Sequence, residues 1–148
     1  MFKPALILAA LCAATSAAQA DAFVTRTADD SFDDVAFAVE SAILAKGLVI
    51  DSVSHVGDML ERTKADVGST VTVFDKANVY LFCSATLSRK VMEVDPLNIQ
   101  FCPYAITVFQ SPADPGKVTI GHRTFPEGAM QEVQSLLSDI VADAIGAE

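Results

Sequence analysis

Six residues limit the fold of this chain more than any others: Ser111-Pro112-Ala113-Asp114-Pro115-Gly116. Two prolines and a glycine within six positions mark a turn by composition. On either side, Cys102–Gln110 and Lys117–Arg123 read as strands, so the three pieces form a hairpin. The two strands of a hairpin run antiparallel, which excludes a purely parallel sheet.

The remaining elements follow from periodicity and caps. Ala22–Thr27 reads as a short first strand. Phe32, Val35, Ala36, Val39 and Ile43 recur at helical spacing and predict a helix over Phe32–Lys46. Ser31 and Asp34 form a capping-box pattern at its start. Asp33 and Asp34 favour the positive end of the helix dipole, and Gly47 can close the other end. Leu48–His55 is rich in β-branched residues and reads as a strand. Gly57–Val67 reads as a short polar helix starting at Asp58. Val71–Cys83 is strand-like, interrupted at Asp75-Lys76-Ala77, with Asn78–Cys83 its firmer half. Ser84 caps a helix running to about Val94, and Pro96 stops its continuation. Pro126 opens the last helix at the position where proline is favoured. Met130, Val133, Leu137, Ile140, Val141 and Ala144 line one face of that helix, and Gly146 ends it.

The order is strand, helix, strand, helix, strand, helix, hairpin, helix. It predicts an α+β fold, with one mostly antiparallel sheet and helices packed on one face. A doubly wound α/β sheet is the alternative, because the first half alternates strand with helix. Neither a repeat nor a linker breaks the chain, so residues 21–148 are expected to form a single domain.

Residues 1–20 read as a cleavable signal peptide. Lys3 supplies the positive n-region, Ala5–Ala14 an apolar h-region, and Ala18-Gln19-Ala20 an A-x-A cleavage site before Asp21. The apolar run is half of the ~20 residues that a membrane span needs. Cys12 raises the alternative of a lipoprotein signal, but Leu11 is large where a small residue is expected. The expected location is therefore the periplasm, with no membrane span after cleavage. Removing residues 1–20, which hold one basic residue and no acid, leaves 128 residues of net charge −10. Such an acidic surface speaks against nucleic acid and anionic lipid as partners. A chain of that length buries roughly two-thirds of its unfolded surface and folds without staples.

Export leads to an oxidising space, which governs how Cys83 and Cys102 are read. One ends a strand and the other starts the next. If those strands are antiparallel neighbours the sulfurs meet; if parallel, they lie ~17–20 Å apart. Three chemistries stay open. A structural disulfide would stabilise by ~3 kcal/mol in the chain-entropy model. A redox-active pair would draw on Cys83, which directly precedes a helix N-terminus, although no C-x-x-C is present. Haem or metal ligation would pair a thiolate with a histidine, the pool being His55, Cys83, Cys102 and His122. Two buried free thiols are the remaining state.

His55, beside Gly57 at the mouth of a turn, and His122, sharing a face with Val118 and Ile120, are candidate ligand-binding residues together with Cys83. As structural residues they would be a turn histidine and a hydrogen-bonded histidine at the core edge. Met92 and Met130 fall at core positions. The carboxylates Asp29, Asp30, Asp33, Asp34, Asp139, Asp143 and Glu148 fit helix starts and solvated faces. Ser84 and Ser88 lack a G-x-S-x-G context, and no calcium-loop pattern occurs.

Phe82-Cys83-Ser84-Ala85, Ser88-Arg89-Lys90, Met92, Asp95-Pro96, Asn98, then Phe101-Cys102-Pro103-Tyr104 and Ile106 resemble the bacterial family called domain of unknown function 302. Gly47, His55 and the stretch Gly116 to His122 match its general pattern. The resemblance covers roughly Phe32 to Pro126. The commonest family form reads F-G-N-P at Phe82 to Ala85, with leucine at Cys102 and often tyrosine at His122, so the chain resembles a cysteine-bearing exported branch. The resemblance implies an α+β fold of the TATA-binding-protein-like kind, often a homodimer, with no established reaction.

The absence of a catalytic constellation favours a non-enzymatic binding or interaction module of the cell envelope, holding a small ligand, a haem or an envelope protein. The alternative is a thiol–disulfide or haem/metal-linked redox accessory using Cys83 and Cys102.

Overall fold

The computed structural model describes residues 23–146. The expected signal peptide with Cys12, and Asp21, Ala22 and Glu148, lie outside the described residues. Five strands form one sheet in the order β1-β5-β4-β3-β2, where β1 is Phe23–Ala28, β2 Val49–Ser54, β3 Lys76–Cys83, β4 Tyr104–Gln110 and β5 Val118–Arg123. All four pairings are antiparallel, which removes the doubly wound alternative. The expected hairpin is present as β4 and β5, with Val108 opposite Ile120.

Among the described residues four α-helices accompany the sheet: α1 (Phe32–Ala45), α2 (Val56–Thr63), α3 (Ala85–Val94) and α4 (Gln131–Ala144). Ser31 caps α1, its hydroxyl accepting from the Asp34 N–H at 3.2 Å and donating to the Asp34 carboxylate at 2.7 Å, so the pair meets side chain to side chain rather than as a full capping box. Val35, Val39, Ala42 and Ile43 of α1 and Val133, Leu137, Ile140 and Val141 of α4 are buried in the same core as Tyr80, Phe82, Ile106, Val108, Val118 and Ile120. In β4, Tyr104, Ile106 and Val108 are buried, whereas Ala105, Thr107 and Phe109 are half-buried, as strand alternation requires. A two-layer α+β fold results. No helix among the described residues is long and apolar enough to cross a membrane.

Four boundaries differ from the sequence expectation, each for a physical reason. Val71–Phe74 is not strand. Lys76 pairs with Gln110, the last residue of β4, and past it β4 leaves the sheet at the Ser111 turn. Val71–Phe74 therefore meets no partner strand. The polar helix α2 starts at Val56 rather than Asp58 and ends at Thr63, with turns continuing to Gly68. Pro96 does follow the end of α3, but it opens a short 3-10 helix over Pro96–Phe101. This delays β4 to Tyr104, two residues past Cys102.

The last helix does not start at Pro126. Phe125 is buried against Tyr104 and Phe101, with ring centroids at 6.3 and 5.7 Å. Gly128 adopts φ +90°, a value that ends any helical run from Pro126. Gln131 and Gln134 then tie the lead-in down. The Gln131 side chain donates to the carbonyls of Phe125 and Pro126, and the Phe125 N–H donates to Gln134. Met130 accordingly sits at the helix cap, buried, rather than within the helix.

Candidate functional site

Phe82 and Tyr104 face each other as the last rung of β3 and β4. Cys83 and Cys102 lie just beyond that rung. They are joined as a disulfide, with Cα atoms 6.4 Å apart across a sequence separation of 19. Antiparallel neighbours bring the end of one strand to the approach of the next, and the bridge follows from that geometry.

The surroundings of the bridge are built by α3 and the 3-10 helix. The Ser84 hydroxyl caps α3 by accepting from the Leu87 N–H at 3.3 Å. One turn on, the Ser88 hydroxyl shares a 2.9 Å hydrogen bond with the buried Tyr104 phenol and lies 4.0 Å from Cys102 Sγ. Both cysteines are half-buried. The Cys102–Pro103 peptide is cis.

The structure does not assemble the histidines with Cys83. His122 stands on β5 and His55 just past β2, with β4 and β3 between them. The His122 ring is 1% exposed. Its Nδ1 is 2.8 Å from the Arg123 carbonyl, so it donates there, and its Nε2, 3.0 Å from Ser138, accepts from the hydroxyl. Burial pushes the His122 pKa below the ordinary imidazole value, and the bond to the Arg123 carbonyl opposes that shift. His55 is exposed at the cap of α2, and its Nδ1 pairs with the Asn78 side chain at 2.9 Å. Each histidine thus takes a local structural place. The sulfurs of the bridge carry no thiolate to offer a metal or haem. No group of three or more His, Cys, Asp or Glu close enough to hold a metal occurs among the described residues.

The sequence model of the family described as domain of unknown function DUF302 matches residues 24–146, most of the chain. The chain belongs to the DUF302 family. The crystal structure of an uncharacterized conserved DUF302 protein from Bacillus stearothermophilus is similar, with a TM-score of 0.62 and 15% identity, over 86% of this chain and 98% of that one. At that identity the likeness shows a shared fold. No curated protein matches the chain.

In this DUF302 chain, sequence reasoning missed a groove beside the bridge. It has a volume of about 400 Å³ and lies between the 3-10 helix and the segment Pro126–Met130. Leu97, Phe101, Ala129 and Met130 give it apolar walls, and Asp95 and Glu127 add carboxylates. Phe101 is the residue before Cys102, so the bridge fixes that wall to the end of β3. The Arg123 guanidinium lies 5.4 Å from the Phe101 ring centroid and holds the ring from outside the groove. The sequence signal was the apolar run around Pro96, of which Val94 and Leu97 line the groove and are well exposed. Exposure cannot be read from residue type alone, so the run carried no weight there.

Proposed function

We propose that this DUF302 protein is an exported, non-enzymatic binding module of the cell envelope, and that the groove between the 3-10 helix and Pro126–Met130 is its ligand site. The observation that carries the reading is the anchoring of one groove wall by the Cys83–Cys102 bridge. A volume of this size and a mainly apolar lining suit a small organic ligand. A wall fixed in advance lowers the ordering cost of binding. The bridge also supports export through the leader at residues 1–20, because disulfides persist in oxidising compartments.

Native mass spectrometry with an absorbance spectrum, on protein taken from the native envelope, tests the reading. The expected result is a chain beginning at Asp21, bridged, with a non-covalent mass that Leu97→Asp and Met130→Asp variants fail to carry. A chain retaining residues 1–20, or a bound mass unaffected by both variants, overturns it. A Soret band would assign the bound mass to haem.

A second reading is a thiol–disulfide accessory. It is favoured by the position of Cys83 directly before the α3 cap, where the helix N–H groups and dipole stabilise a thiolate leaving group. A measured bridge potential in the range of redox enzymes supports it, and a bridge resistant to mild reductant excludes it.

A further inference from the structure

The outward face of α1 is unusual for a helix whose other face is already committed to the core. Phe37 and Leu44, seven residues apart and so on one strip, are 71% and 58% exposed. Asp33 and Asp34 flank them on the same side of the helix, whereas Glu40 is half-buried and turned toward the Tyr80 phenol. Next to this strip, between Phe37 and Asp143 of α4, lies a groove of about 480 Å³ floored by Ala38, Ser41 and Ala45. Leu136, Asp139 and Asp143 continue the strip along α4 at spacings of three and four. A second groove of about 450 Å³ is lined there by Leu136 and Asp139.

Charge gives this apolar surface a direction. Neither α1 nor α4 contains a lysine or arginine, while each contains three acids. Three lysines from elsewhere reach in, Lys76 to Asp33, Lys46 to Asp143 and Lys90 to Glu132, at 2.6–2.8 Å. Asp34 and Asp139 form no ion pair among the described residues, although Lys46, paired with Asp143, also acts on Asp139 at longer range. A second copy of the chain would bring acid against acid, a juxtaposition that opposes association. An extended peptide would find only helix backbone, whose amides are already bonded within the helices, and no strand edge to add to.

We infer that the α1–α4 face is a docking surface for a basic amphipathic helix of a partner protein, which lays its apolar side over Phe37, Leu44 and Leu136 and sets its lysines or arginines against Asp34 and Asp139. Helix-in-groove docking uses apolar anchors for affinity, and the acid frame selects the partner's charge. This surface is separate from the groove beside the bridge and does not depend on what that groove holds.

The test uses the purified, bridged protein and a synthetic leucine–lysine peptide with amphipathic-helix spacing. Its scrambled isomer serves as control. Calorimetry and amide shift mapping give the readouts. The expected result is binding of the patterned peptide, with shifts confined to α1 and α4. The double variant Phe37→Ser, Leu44→Ser should weaken it by roughly tenfold or more, since apolar anchors dominate such interfaces. Both residues are exposed, so the variant keeps its fold and its charge. Asp34→Asn with Asp139→Asn should weaken binding and flatten its salt dependence. Equal affinity for the scrambled peptide, unchanged affinity of the double serine variant, or shifts centred on Leu97 and Met130 overturns the inference. A dimer in sedimentation that the serine variant dissolves overturns it in favour of a second copy.

Discussion

Strand β3 borders two regions built in opposite ways. On the β4 side, Tyr80, Phe82, Tyr104, Ile106 and Val108 pack under α1 and α4 with almost no exposure. On the side of α2 and residues 64–75, Val67, Val71 and Val73 stand exposed, and α2 buries only Gly57. Polar ties hold that corner. Lys64 donates to Glu61 and Thr72, and the Thr72 hydroxyl donates to Glu61. The Lys64 bond, aided by Thr72, holds the Glu61 carboxyl below its ordinary range. The tightest approach of the corner to the sheet is at Gly57, where a Cβ would lie 2.6 Å from the Ala77 backbone nitrogen. Residues of equal strand propensity thus become core on one side and surface on the other. A partner strand decides which.

The contrast predicts a gradient of mutational cost. Ile106→Ala, in the fully buried layer, should lose about 4 kcal/mol in a urea melt, while Val71→Ser should stay within about 0.5 kcal/mol of the parent. Equal costs would erase the distinction between the two regions. Cys83→Ser should lose about 3 kcal/mol under oxidising conditions. Unchanged melting, with both thiols titrating as free in the parent protein, would remove the bridge from the structure. Gly57→Ala should cost about 2 kcal/mol, because a methyl group there meets backbone that has to move. A neutral outcome would mean that α2 rides loosely on β3.

The smallest expected effect is pH-dependent and belongs to His122. Its folded pKa lies below the unfolded imidazole value of about 6.5, so the unfolded chain binds the proton more readily. Its contribution is fully present above pH ~6.5 and is lost as pH falls from there through the folded pKa. Proton NMR of the ring should give a midpoint below 6.5. A midpoint at or above that value would mean that the ring is not desolvated.

The legible parts of the fold were those set by local rules. The Ser111–Gly116 turn, the apolar stripe of α1 and the caps at Ser31 and Ser84 announced themselves in the sequence and occur in the structure. The meeting of Cys83 with Cys102 was legible only conditionally, because it depended on strand direction. What stayed hidden was non-local. Val71–Phe74 has strand composition, but β4 ends too soon to receive it. Pro126 has the residue type of a helix start, but burial of Phe125 and the bend at Gly128 delay the helix to Gln131. The groove at Leu97 and Met130 joins segments far apart in sequence, and no spacing rule connects them. The places of His55 and His122 were likewise hidden, since strand order, with two strands between the histidines, cannot be read from spacing.

The pairing of β1 with β5 has a consequence for how the chain comes into being. Phe23 lies opposite Arg123, and Ala28 opposite Val118. The strand that leaves the ribosome first must therefore wait, unpaired, until nearly the whole polypeptide has been synthesised. During that interval the nascent chain has no finished sheet edge at its front. The first strand made is the last of the five to find its partner.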